Sequence, residues 1–219
     1  GFCFDMAEYY QAMTEAQNQY KGKFPVRIGM ELGLQAHLKD RLPGMAAAYP
    51  FDFVIGSSHL VHGIDPYYTE YFEGKEEDKA YREYFESILE NLAAFDCFDV
   101  YGHIDYIVRY GPNQNQFYSY GKFADVIDEI LRTIIQKGKG IEINTAGFKY
   151  GLGHPHPTEQ ILKRYRELGG EILTIGSDAH KAEHVGFGFG KVPGILQEAG
   201  FRYYTVFKQR KAEFYPLEG

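Results

Sequence analysis

Apolar positions along this chain switch repeatedly between two periods. Between Glu76 and Ala94, Tyr81, Phe85, Ile88, Leu89 and Leu92 recur at helical spacing. Further helices are predicted over Asp5 to Tyr20, Lys39 to Ala48, Lys122 to Lys137, Pro157 to Leu168 and Val192 to Glu198. Asp5 is placed to cap the first, with Glu8 three residues on completing a capping box. Between the helices fall short β-prone runs: Pro25 to Leu32, Phe51 to Gly56, Asp99 to Gly102, Gly140 to Asn144, Glu171 to Ile175 and Tyr203 to Phe207. Lys211 to Tyr215 adds a terminal strand.

Repeated βα units imply a parallel sheet buried on both faces. No linker-like stretch or low-complexity run interrupts them, so residues 1 to 219 read as one α/β domain. A hydrophobic fraction of 44% supplies an ample core, and the 24% of charged residues are mixed in sign. A net charge of −7 argues against a broad nucleic-acid footprint. No run of apolar residues is long enough to cross a membrane. Two cysteines, Cys3 and Cys97, without paired spacing, suggest a reducing, cytoplasmic setting.

Closure into a barrel is expected from where the polar residues fall. "VRIGMEL" carries Glu31, "FDFVIGSSH" ends at His59, "DVYGHID" carries His103, "IEINT" carries Asn144, and "LTIGSDAH" ends in Asp178 and His180. Successive residues of this set are about one βα unit apart. In a βα barrel the strand ends converge on one rim, which holds the active site. Two carboxylates and three imidazoles gathered there suit zinc, manganese or iron(II). Each residue also has a plainer reading: Glu31 as a surface acid, His59 as a satisfied core histidine, His103 as a hydrogen-bond partner of Asp105, Asn144 as a strand-end cap, and Asp178 and His180 as turn residues.

Taken in order, "GMELG", "IGSSH", "YGHID", "EINTAG" and "IGSDAHKAEHVG" resemble the PHP (polymerase and histidinol phosphatase) family, its histidinol-phosphatase branch in particular. The resemblance implies a distorted (βα)7 TIM-like barrel whose two or three divalent metal ions hydrolyse a small phosphate monoester, most naturally histidinol phosphate. By resemblance, Glu31 bridges two metals, His59 and His103 bind the second, Asp178 the first and His180 the third. Asp178 and His180 are also candidates for moving a proton. Arg109 resembles a phosphate-contacting arginine, and Lys149 a second cationic contact with the substrate.

The family pattern also has an HxH on its first strand and a TDH soon after, and this sequence shows neither before Glu31. The reading that follows is a shortened chain, lacking about 40 residues of one and a half βα units. Such a barrel has an open seam that a second copy of the chain, in a homo-oligomer, is expected to cover. It also leaves an alternative function, a catalytically silent PHP-like module that binds metal or docks to a partner. An amidohydrolase, which shares the barrel, fits less well without the HxH and a bridging lysine. The remaining histidines, His154 and His156 of "GLGHPHP" among them, read as structural or solvent-facing loop residues. "GFGFGK" lacks the P-loop spacing and reads as a turn.

Overall fold

Five parallel strands stand side by side in chain order, β1-β2-β3-β4-β5. The computed structural model describes residues 5–217; Cys3 lies outside them. In sequence the elements are α1 (Met6–Gln19), β1 (Gly29–Gly33), α2 (Leu42–Ala47), β2 (Phe53–Ser57), α3 (Glu77–Ala94), β3 (Val100–Tyr101), α4 (Ala124–Gln136), β4 (Gly140–Asn144), α5 (Ala146–Lys149), α6 (Glu159–Glu167), β5 (Leu173–Gly176), α7 (Val192–Glu198), β6 (Tyr203–Lys208) and β7 (Lys211–Pro216). This is the expected TIM-like α/β architecture, and it brings the carboxyl ends of all five strands to one side. Among the described residues β1 pairs as a strand only with β2, and Tyr9 Oη of α1 donates to the Gly29 carbonyl of β1 at 2.5 Å.

The capping prediction holds at Asp5, whose Oδ1 accepts the N–H of Ala7 at 2.8 Å and of Glu8 at 3.0 Å. The stripe on α3 buries Tyr81, Phe85, Ile88 and Leu92, and α4 buries Ile127, Ile130, Leu131 and Ile134. Both helices pack on the sheet, and β4 is buried along its whole length. On β4, Ile141 and Ile143 share one face while Glu142 and Asn144 share the other. An acid and an amide therefore face inward from the middle of the sheet.

Three predicted helices start later than their polar flanks suggested; the one expected from Lys122 begins at Ala124, after a 3-10 turn at Tyr120–Phe123. The second begins at Leu42, after a 3-10 turn at Ala36–Leu38. The one expected from Pro157, α6, begins at Glu159, because residue 156 pairs as a β-bridge with Asn144 and holds the preceding chain extended. A short helix at Ala146–Lys149 is one that periodicity did not reveal, being too short to show a stripe.

β6 and β7 form a separate antiparallel hairpin. Its two-residue turn, Gln209 and Arg210, has φ of 51° and 64°, as a type I′ turn requires. The turn closes the end of the sheet opposite the carboxyl ends of the strands. The backbone N–H groups of Gln209 and Arg210 bond to Asp52, and Arg210 Nε bonds to the buried Asp99 at 2.5 Å. Phe207 stacks on Phe53 at 5.2 Å between ring centroids. Among the described residues no helix is long and apolar enough to cross a membrane.

Candidate metal and phosphate site

Glu31 on β1, His59 just after β2 and His103 just after β3 meet at the carboxyl ends of their strands. Glu31 Oε1 lies 3.3 Å from His59 Nε2 and 3.2 Å from His103 Nε2, and the two imidazole nitrogens are 3.3 Å apart. Three donors bound tetrahedrally to an ion at about 2.1 Å would lie about 3.4 Å from one another. The triangle therefore has the size of one face of a zinc-type coordination sphere. The donor set, one carboxylate and two imidazoles, is also the kind that catalytic zinc takes.

Neighbouring groups hold this triangle in place. The ring of Tyr106 packs against both imidazoles, with centroids 5.1 Å from His59 and 5.0 Å from His103. Under His59, Ser58 is fixed by Tyr101, Tyr84 and Asn91 through buried hydrogen bonds. His103 has φ of 23°, and Asp178 has φ of 48°. Non-glycine residues seldom hold such angles, and the strain, about 1–3 kcal/mol each, gathers where a side chain must be aimed.

Burial pushes the Glu31 carboxyl up, but hydrogen bonds from His103 and His59 outweigh it and hold its pKa well below the ordinary range. Burial pushes the His103 imidazole down, against the opposing pull of Glu31. The buried ring staying neutral is the direction that its 4% exposure supports. Glu31 is 39% exposed by side-chain area because it faces the open rim, although protein crowds its other sides. An ionised carboxylate and neutral imidazoles are the protonation states in which these groups bind metal.

Deeper in the sheet lies Glu142, which sequence reading passed over in favour of Asn144. Its Oε2 accepts from Asn144 Nδ2 at 3.1 Å and from the backbone N–H of His103 at 3.3 Å. Asn144 Oδ1 in turn accepts from Ala146 N, so Asn144 both holds Glu142 and opens α5. A Cβ on Gly176 of β5 would overlap Glu142, which explains the glycine there. Burial, then the charges of Glu31 and Asp178, push the Glu142 pKa up from 4.5 to about 7. In the metal-free protein, below pH 4.5, Glu142 is protonated whether folded or unfolded and has no effect on stability. As pH rises to about 7, the unfolded chain releases the proton first and stability falls, levelling at a loss of about 3 kcal/mol. Glu142→Gln removes this slope. Urea unfolding in chelator should show the variant gaining on wild type from pH 4.5 to 7; parallel curves would show that Glu142 is not a buried acid.

Arg109, at the end of a 3-10 turn (Tyr106–Arg109), is buried, with 2% of its side chain exposed. Its Nη1 lies 3.4 Å from Asp178 Oδ2, and its Nε points at His156 Nε2, also 3.4 Å away. Nη2 is buried without a hydrogen-bond partner among the described residues. The guanidinium lies 4.5 Å from the ring centroid of Tyr150, 5.0 Å from that of Tyr106 and 5.8 Å from that of Tyr110. Cation–π contacts on several sides restrict its rotation.

The structure brings Glu31, His59 and His103 together and sets Asp178 and Arg109 beside them, with Glu142 close to both Glu31 and Asp178. Lys149 Nζ donates to the carbonyl of Asp178 at 3.3 Å, so it supports that turn. His180 stands outside the triangle: its side chain is 76% exposed, and its Nδ1 turns back to the carbonyl of Asp178 at 3.1 Å. Of the two readings open for His154 and His156, structural or solvent-facing, the structure gives the structural one. His156 is fully buried and His154 nearly so, because the 144–156 bridge pulls "GHPHP" against the sheet. "GFGFGK" is a turn as expected, tied down where Thr145 Oγ1 donates to the Phe187 carbonyl at 2.5 Å.

Residues 1–146 match the family model of the PHP domain. The chain belongs to the PHP family. It is 31% identical over 217 residues to the histidinol-phosphatase of Lactococcus lactis, covering 97% of this chain and 79% of that one. A Clostridium acetobutylicum protein named a probable histidinol-phosphatase is 33% identical over 191 residues, covering 86% of this chain and 71% of the other. Among solved structures, the L. lactis histidinol phosphate phosphatase, complexed with zinc, L-histidinol and phosphate, superposes with a TM-score of 0.89 at 30% identity, over 97% of this chain and 81% of that one. A Listeria monocytogenes structure, 20% identical with a TM-score of 0.74 over 85% of this chain and 75% of its own, is alike in fold.

Proposed function

We propose that this PHP protein is a divalent-metal-dependent phosphatase acting on histidinol phosphate. The observation that carries the reading is the triangle of Glu31, His59 and His103, sized for a zinc-type ion. The L. lactis relative, crystallised with zinc, L-histidinol and phosphate, supports the substrate. Glu31, His59 and His103 would hold one ion, zinc, manganese or iron(II). Asp178, with His180 beyond it, is the donor set left at the rim for the second or third ion of the family pattern. A bound divalent cation supplies Lewis acidity, which activates water and draws negative charge off a phosphate ester.

The chain's own residues do the rest. Arg109 binds the non-bridging phosphate oxygens with its spare Nη2–H, and its fork suits a dianion. Asp178 keeps the guanidinium charge partly balanced until substrate arrives. Lys149 adds positive charge behind Asp178. Tyr106 closes the floor under both imidazoles and sheds water from it.

The direct test is phosphate release from L-histidinol phosphate by the protein loaded in turn with zinc and with manganese. Metal-dependent turnover that chelator abolishes is expected. Bound metal without turnover on this or any small phosphate monoester would mark a silent metal-binding module instead.

A further inference from the structure

Against the Nε edge of Arg109 lies a pair that nothing in the reaction above uses. His156 Nδ1 sits 2.5 Å from Asp105 Oδ1, and both side chains are fully buried. Asp105 Oδ2 accepts the N–H of Thr158 at 2.9 Å. The backbone of His156 is tied at both its N–H and its carbonyl to Asn144, at 2.8 and 2.7 Å. On the far edge of the imidazole, Nε2 faces Arg109 Nε at 3.4 Å.

Hydrogen-bond chemistry fixes the tautomer. The Asp105 carboxylate only accepts, so Nδ1 carries the ring proton. Nε2 then presents its lone pair. That is the arrangement in which an arginine N–H, a donor, finds an acceptor there.

We infer that Asp105 and His156 form a positioning relay that sets the orientation of Arg109 toward the phosphate of the substrate. The inference rests on the reading of Arg109 as the phosphate contact. The relay takes Nε and Asp178 takes Nη1, which leaves Nη2 as the spare donor. Neither Asp105 nor His156 touches substrate. They act through the guanidinium.

A second metal is a poor occupant of this place, although Asp105, His154 and His156 lie within ligand distance of one another. The hydrogen bond between Asp105 and His156 already uses a donor atom of each. The Arg109 cation, 3.4 Å from the imidazole, would repel a divalent ion.

Asp105→Asn tests the relay with little change of shape. Its Oδ1 can still accept from Thr158 N–H, and its Nδ2–H then donates to His156 Nδ1. That moves the ring proton to Nε2, where it opposes the Arg109 N–H. In the metal-loaded protein, kcat/KM for histidinol phosphate should fall about 10- to 100-fold and the inhibition constant of inorganic phosphate should rise alike, with bound metal unchanged. In the Arg109→Ala background the same substitution should cost less than about threefold more, since the relay has nothing left to position. Losses that multiply in the double variant, or a fall in bound metal, would overturn the relay. A wild-type response of Arg109→Ala would instead overturn the phosphate reading of Arg109, and the relay with it. Should Asp105→Asn not fold, His156→Gln and His156→Asn replace it. The longer amide reaches Arg109 with an acceptor and the shorter does not, so Gln should keep at least about 10-fold more kcat/KM. Equal losses in the two would reduce His156 to a packing residue.

Discussion

Glu31→Gln should cost the protein its metal. Charge and geometry give the reason together. Glu31 Oε1 is the only anionic donor of the triangle, 3.3 Å from His59 Nε2 and 3.2 Å from His103 Nε2. An amide oxygen in its place is neutral and a weaker donor to a hard or borderline cation. Loss of a partner one shell further out typically costs 10- to 100-fold in metal affinity, so loss of a direct anionic ligand should cost at least about 100-fold. Phosphatase activity at limiting metal should fall with it. The fold should survive, because the Glu31 side chain faces the open rim and an amide fills the same volume. Equilibrium dialysis against zinc or manganese, with circular dichroism as the control, gives the answer. Unchanged occupancy would remove Glu31 from the centre.

The second large effect belongs to Arg109→Ala, which should act on phosphate and leave metal content alone. The guanidinium is buried, caged by Tyr150, Tyr106 and Tyr110, and its Nη2 has no hydrogen-bond partner among the described residues. A hydrogen bond to a charged group is worth about 1.5–3 kcal/mol, and Arg109 offers a phosphate dianion charge as well. A fall in kcat/KM of about 100-fold is therefore expected, much of it in KM. Steady-state kinetics with histidinol phosphate, beside metal analysis of the same samples, checks both halves. Kinetics that do not move would make Arg109 a structural cation paired with Asp178.

Glycine punctuation and clean periodicity made much of the fold legible. β4 and α7 have the limits predicted, because β4 starts at a glycine and α7 carries proline in its first turn. The triangle was legible because each of its members lies at or just past the end of a β-prone run, and the convergence of parallel strands does the gathering. Glu142 was missed, although its signal was present. An acid two residues before Asn144, in a strand apolar at every other position, has to share the inward face with it. His156 carried no comparable signal. Prolines on both sides of His156 leave a structural and a solvent-facing reading equally open, and Asp105, its partner, is distant in sequence. Only the backbone bridge to Asn144 draws the loop inward, and such a bridge has no local pattern. His180 is a separate case: the resemblance gave it to a third ion, and its exposed ring stands beside Asp178 and outside the triangle.

The most direct measurement is anomalous diffraction at the zinc edge from crystals grown with zinc. A peak about 2.1 Å from Glu31 Oε1, His59 Nε2 and His103 Nε2 together is expected. Zinc absent from that point, or bound only at surface histidines such as His62, would contradict the proposal that these three strand ends build the catalytic centre.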